Sequence, residues 1–140
     1  LAIIPKTRKL GAAVLIAVLL GAIVTSGILK PLIMRPRPCD VNPLVPMIID
    51  RPHGSSFPSG HALSSFAAAT ALCCFHRKTG VLALVLAALI AFSRLYASVH
   101  YPTDVLAGAL LGVLLGLAAA ALVDRVMDAF HTIRLRKGDK

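Results

Sequence analysis

The side chains best suited to chemistry fall in five short stretches: Lys30, Arg37, Ser59-Gly60-His61, Arg94, and His100 with Asp104 four residues on. Three cations and two imidazoles at the edges of apolar segments call for an anion, above all a phosphate. Lys30, Arg37 and Arg94 supply fixed positive charge, and a guanidinium can grip two phosphate oxygens at once. Ser59 and Gly60 stand where a helix should open, so their backbone N–H groups face outward at the positive end of its dipole. Gly60 has no side chain and lets an anion come close. His100 is the better nucleophile, because Asp104 can accept from one ring nitrogen and leave the other to attack. His61 then falls to the general acid that protonates the leaving oxygen.

Taken singly, each residue has an ordinary reading. Lys30 could snorkel from the end of a span, Asp104 could cap a helix, and Arg37 could be a solvated loop charge. Together, at the ends of three apolar segments, those readings explain the set poorly. Arg35, Asp50, Arg51 and His53 are left as ordinary loop residues, and nothing is read into the lone loop thiol of Cys39. His76 and His131 fall on the far side of the chain's topology. Cys73 and Cys74 lie within an apolar helix, and three cysteines make neither a disulfide framework nor a metal spacing.

The elements that must position these groups are apolar helices. The 140 residues make one domain by length, with 57% hydrophobic residues, 15% charged residues and a mean hydropathy of +0.81. Leu10 to Leu29 runs twenty residues without a charge, about the length that crosses a bilayer core. Lys30 to Phe57 reads as loop, since its prolines forbid a long helix, although Leu44 to Ile49 could make a short amphipathic turn. Pro58 to Phe75 is the second span, with Pro58 at the first helical position and Ser56 as its cap. His76 to Gly80 reads as a tight basic turn, and a third span follows over residues 80–99. Pro102 opens a fourth span over residues 103–123, in which Gly108, Gly112 and Gly116 form a small-residue packing seam. Asp124 to Lys140 reads as a polar tail. The expected fold is an all-α integral membrane bundle of four visible transmembrane helices, in a single membrane-embedded domain.

The net charge of +9 could suggest nucleic acid, but basic residues in short loops between apolar runs read instead as topology signals. One side collects ten: Lys6, Arg8, Lys9, Arg77, Lys78, Arg125, Arg134, Arg136, Lys137 and Lys140. The other side holds five: Lys30, Arg35, Arg37, Arg51 and Arg94. The richer side is expected to be cytoplasmic, which places every candidate site residue at the outer face.

In order, Lys30-x6-Arg37-Pro38, Pro58-Ser59-Gly60-His61 and Ser93-Arg94-x5-His100-x3-Asp104 resemble the three-part signature of the type 2 phosphatidic acid phosphatase superfamily. The doubled Arg-Pro gives two registers, and only Arg37 has the six-residue gap from Lys30. The resemblance implies a phosphohistidine intermediate on His100, with His61 protonating the leaving group. It also implies phosphate binding by Lys30, Arg37, Ser59, Gly60, His61 and Arg94, with no metal or other cofactor required. Its partners would be a lipid phosphate or diphosphate and the membrane lipids, with no nucleic acid. Membrane members usually have six spans against the four counted here, so two spans are expected before Leu10. A first residue of Leu1 rather than Met fits a processed chain or an excerpt. The short loops and Asp40-Val41-Asn42-Pro43 resemble small bacterial members acting on undecaprenyl diphosphate, which implies a bacterial cell membrane. Two other readings remain: a vanadate-dependent haloperoxidase, whose chemistry uses a similar anion cradle, and a non-catalytic protein that binds or moves phospholipids.

Overall fold

In the computed structural model, residues 7–42, 44 and 46–138 are described, with side chains to residue 129. Lys6, Pro43, Val45 and Lys140 lie outside the described residues, as do the side chains of His131, Arg134, Arg136 and Lys137. The described residues are helical and contain no strand. In order they form α1 (Arg8–Ala22), a π-helical segment (Ile23–Leu29), α2 (Lys30–Ile33), α3 (Pro38–Val41), α4 (Gly60–Phe75), α5 (Arg77–Tyr96) and α6 (Pro102–Gly138). Three helical stretches, Arg8–Val41, Arg77–Tyr96 and Pro102–Ala129, are long and apolar enough to cross a membrane. The fourth apolar helix, Gly60–Phe75, has 16 residues. At ~1.5 Å per residue it is about 24 Å long, shorter than the bilayer core, and it forms the centre of the bundle.

Helix α4 can occupy the centre because its inward residues are small. Ala62, Ala67 and Ala71 are fully buried, and Ala67 and Ala71 pack with Ala13 and Ala17 of α1 and Ala119 and Val123 of α6. The glycine seam of α6 faces α4 directly. A Cβ added at Gly108 would lie 2.5 Å from the Ser59 carbonyl oxygen, and one at Gly116 would lie 2.6 Å from that of Ala67. One at Gly112 would collide with the carbonyl oxygen of Leu63. The large apolar side chains point outward instead: Leu15, Leu19, Leu89, Phe92, Leu110 and Leu114 are all exposed. Small residues inside and large apolar residues outside is the pattern of helices that meet each other by close packing and meet lipid with their bulk.

Several boundaries differ from the sequence expectation. Helix α4 starts at Gly60, not Pro58, and its cap is Ser59, whose hydroxyl accepts the Ala62 N–H at 3.4 Å. Ser56 instead donates from its hydroxyl to the Pro36 carbonyl. The expected five-residue turn after α4 is a one-residue break at His76. Gly80 allows it, since any Cβ there would run into the Cys73 backbone. The stretch from Lys30 to Phe57 holds two four-residue helices, α2 and α3, rather than loop throughout, while residues 46–49 form no helix. Helix α6 continues to Gly138 where a polar tail was expected. On that end of the bundle Lys9 bridges Asp124 at 3.0 Å and Asp128 at 2.9 Å.

The π-helical segment has a local cause. In an α-helix the ring of Pro31 would strike the Gly27 carbonyl four residues back and leave it without a donor. Widening the turn relieves that clash, and the Lys30 N–H bonds the Thr25 carbonyl, five residues back. The wider turn carries Lys30 toward the face that holds Thr25 and Ser26, where an α-helix would set Thr25 and Lys30 roughly 140° apart.

Candidate active site

A cavity of about 220 Å³ is lined by Lys30, Arg37, Pro52, His53, Gly60, His61, Arg94, Val99 and His100. It joins the start of α2, the loop before α3, the first turn of α4, the last turns of α5 and the turn into α6. Six of the eight residues expected from the sequence therefore meet in one space. The other two, Ser59 and Asp104, are fully buried behind it.

His100 lies in the turn between α5 and α6, outside the membrane-spanning helices, and is 6% exposed. Its Nε2 faces Nη1 of Arg37 at 3.4 Å. Arginine only donates, so Nε2 must present a lone pair and the ring proton must sit on Nδ1. On that other side the Asp104 Oδ2 is 3.5 Å from Nδ1, not close and aligned enough to complete a hydrogen bond. Burial, then the Arg37 charge, push the His100 pKa down to about 4, partly offset by the Asp104 carboxylate and a Ser56 backbone contact. The ring is thus neutral at pH 7, with its unprotonated nitrogen turned toward the cations. That is the state a nitrogen nucleophile needs.

Arg37 is not the open fork that its type suggested. Its Nε donates to the Gly54 carbonyl at 3.1 Å, Nη1 to Val99 at 3.0 Å and Nη2 to Ser55 at 3.3 Å. It is 3% exposed, so it acts as a charge fixed by backbone carbonyls, with little donor capacity left for a bidentate grip. Arg94 is freer. Among the described residues its Nε and Nη2 both reach only the Ser93 hydroxyl, at 3.2 Å, so most of its N–H groups can turn to an anion in the cavity.

The Ser59 N–H was expected to point at the anion, and it does not: it donates to the Asp104 main-chain carbonyl at 3.0 Å. Ser59 therefore caps α4 and ties it to α6, while Gly60 and His61 form the cavity wall. Ser65 donates to the His61 carbonyl at 2.7 Å.

Two of the residues read as ordinary loop belong to the site: His53 lines the cavity, and Arg35 stands behind it. Arg35, left as a loop residue, donates from Nη1 to Asp104 Oδ1 at 2.7 Å and to the Thr103 hydroxyl at 2.8 Å. Its guanidinium lies 4.0 Å over the Tyr101 ring. Its signal in the sequence is the doubled Arg-Pro of residues 35–38. Arg51 and Cys39 also have structural places: Arg51 donates to the Cys39 carbonyl at 2.9 Å, and Cys39 packs under the turn to His100 with Ala97 and Val99.

A second space, a groove of about 310 Å³, shares Lys30, Gly60 and His61 with the first. It runs between α1, the π-helical segment and α4, past Thr25, Ser26 and Ser64 and on to Val18, Gly21 and Ala22. Its polar end meets the cations and its apolar end follows the helices into the hydrocarbon layer.

The chain is similar in sequence and fold to several known proteins. The chain is 49% identical over 72 residues to a bacitracin transport permease protein, BcrC, of Bacillus licheniformis, covering 51% of this chain and 36% of that protein. It is 39% identical over 114 residues to an undecaprenyl-diphosphatase of Sulfolobus acidocaldarius, covering 80% and 54% respectively. The crystal structure of a transmembrane PAP2-type phosphatidylglycerolphosphate phosphatase from Bacillus subtilis superposes with a TM-score of 0.68 at 27% identity. That match covers 81% of this chain and 58% of the other. The chain thus spans roughly a third to three fifths of the length of these relatives. It is an integral membrane protein of the all-helical type. The family model of the PAP2 superfamily matches residues 10–128, and the chain belongs to that superfamily.

Proposed function

We propose that the protein is a membrane lipid phosphatase or diphosphatase that works through a phosphohistidine on His100. The observation that carries this reading is the cavity in which a neutral His100, its Nε2 beside Arg37, faces His61, Arg94 and Lys30. The phosphoryl group sits among Lys30, Arg37 and Arg94, with the Gly60 backbone at the head of α4. His100 Nε2 attacks phosphorus, the bond to the leaving oxygen breaks, and His61 gives that oxygen a proton. Water then attacks the phosphohistidine as His61 takes its proton back, and inorganic phosphate leaves. Asp104 orients the His100 ring and steadies its positive charge during the phosphoenzyme. Ser59 supports the phosphate site from behind by fixing the start of α4.

His61 lies where cavity and groove join, so the leaving oxygen belongs at that junction and the lipid chain along Val18, Gly21 and Ala22. The substrate class is a phosphomonoester or diphosphate of a lipid: undecaprenyl diphosphate, phosphatidic acid or phosphatidylglycerol phosphate. The site faces outward from a bacterial cell membrane, with the ten-residue basic side in the cytoplasm.

The test is phosphate release by purified protein in detergent from those three lipids, with and without EDTA. Release that survives chelation and stops with vanadate, whose five-coordinate form resembles the transition state, is the expected result. Binding of lipid without release would favour a recognition or transport role instead, and loss on chelation restored by magnesium would overturn the metal-free mechanism.

A further inference from the structure

Asp104 is fully buried, and its two oxygens do different work. Oδ2 accepts the Tyr101 N–H at 2.9 Å and lies 3.5 Å from His100 Nδ1. Oδ1 takes Nη1 of Arg35 at 2.7 Å. A buried carboxylate bound on one oxygen by a well-placed cation is held in a fixed orientation, which leaves the other oxygen for a second neighbour. The guanidinium is itself immobilised. It shares Nη1 with the Thr103 hydroxyl, stacks on Tyr101, and its backbone is tied to residues 55 and 56 by the Ser55 hydroxyl and the Ser56 N–H. It therefore reaches the carboxylate from a segment tied to the turn before α4.

We propose that Arg35 is a positioning residue for the reaction: it clamps Asp104 by Oδ1, leaving Oδ2 aimed at His100 and tempering the charge that His100 feels. This rests on the phosphatase reading above. Arg35 does not line the cavity, so it acts through Asp104 rather than on substrate. The groups that set the charge around His100 are Arg37 and Arg35 from the loop before α3 and Asp104 from α6. Across the cavity stand Lys30, His61, Arg94 and His53. Of these, only Arg35 touches the carboxylate that the imidazole shares, so its loss should leave Asp104 both looser and more negative toward the ring.

The experiment compares wild type, Arg35→Gln and Arg35→Lys in detergent. It measures kcat and KM on a lipid phosphate and the His100 titration by NMR of 13C-labelled histidine. Arg35→Gln should lower kcat on the order of 10²-fold, the scale of a misplaced catalytic group, with KM nearly unchanged. It should also raise the His100 midpoint by on the order of one unit. Arg35→Lys, which keeps the charge, should recover most of both. In an Asp104→Asn background, Arg35→Gln should add little further loss, because the two changes break one interaction. A change in KM alone, an unmoved His100 midpoint, or lysine as impaired as glutamine in both readouts would each overturn the proposal. If wild type releases phosphate from no lipid, the phosphatase reading fails, and the His100 titration still decides for or against the clamp. If Arg35→Gln does not fold, Arg35→Lys alone decides it by the same two readouts: wild-type-like values support the clamp, and a Gln-sized loss overturns it.

Discussion

At the scale of single residues, the two histidines should fail differently. On the proposed mechanism, His100→Ala removes the covalent step for every substrate. On the same mechanism, His61→Ala removes the proton donor along with one wall of the phosphate cavity, and the lost acid should cost ~10²–10⁴-fold on a lipid alkoxide leaving group. A p-nitrophenyl ester, whose leaving group departs without a proton, should be partly spared in His61→Ala. Acid-labile, base-stable phosphate trapped on the wild type should vanish in His100→Ala; label that persists there would assign the nucleophile elsewhere. The depressed His100 pKa also predicts a stability slope. The folded chain holds His100 neutral down to about pH 4, whereas the unfolded chain binds a proton near the ordinary value of 6.5. Between those values the unfolded state carries more protons, so stability falls as pH falls through that window. Thermal midpoints of wild type and His100→Gln in detergent should converge as pH drops from 6.5 toward 4.5. Parallel curves would show that His100 titrates normally.

At the scale of elements, the contact between α4 and α6 is the part least able to change. Gly108, Gly112 and Gly116 each meet a main-chain carbonyl of the segment that carries Ser59, Gly60 and His61. Adding a side chain at Gly112 forces the two helices apart, and overpacking of this kind typically costs about 1–3 kcal/mol. Because Ser59 and Asp104 are joined across this contact, the damage should reach the cavity. Gly112→Val is expected to lower the thermal midpoint in detergent and activity together. Leu114→Ala, at an exposed position two residues on, should leave both nearly unchanged. A well-folded, fully active Gly112→Val would mean that the seam is looser than its geometry.

At the scale of the whole molecule, the cavity with Lys30, Arg37 and Arg94 lies at one end of the bundle and the Lys9 bridges to Asp124 and Asp128 sit at the other. The distribution of basic residues predicts that the cavity end faces outward. In a variant without native thiols, a membrane-impermeant reagent applied to intact cells should label a cysteine at Asn42 and not one at Thr79. The reverse pattern would invert the orientation and with it the outward-facing site.

The residues that meet in the cavity were legible in the sequence because their cues are local: a charge at the end of an apolar run, a Pro-Ser-Gly-His turn, a carboxylate four residues after a histidine. The glycine seam was equally legible, since a four-residue spacing puts small residues on one helical face whatever they pack against. The partners those residues choose were not. Whether the Ser59 N–H faces an anion or the Asp104 carbonyl depends on how closely α6 approaches α4. Whether Arg37 or Arg35 spends its donors on ligand, backbone or carboxylate depends on where a proline-rich segment lies against a turn some sixty residues later. Hydrogen-bond partners are set by separations of a few ångströms between chain-distant atoms. Sequence alone determined which groups could act on a phosphate; the tertiary structure decided which of them line the cavity and which hold the others in place.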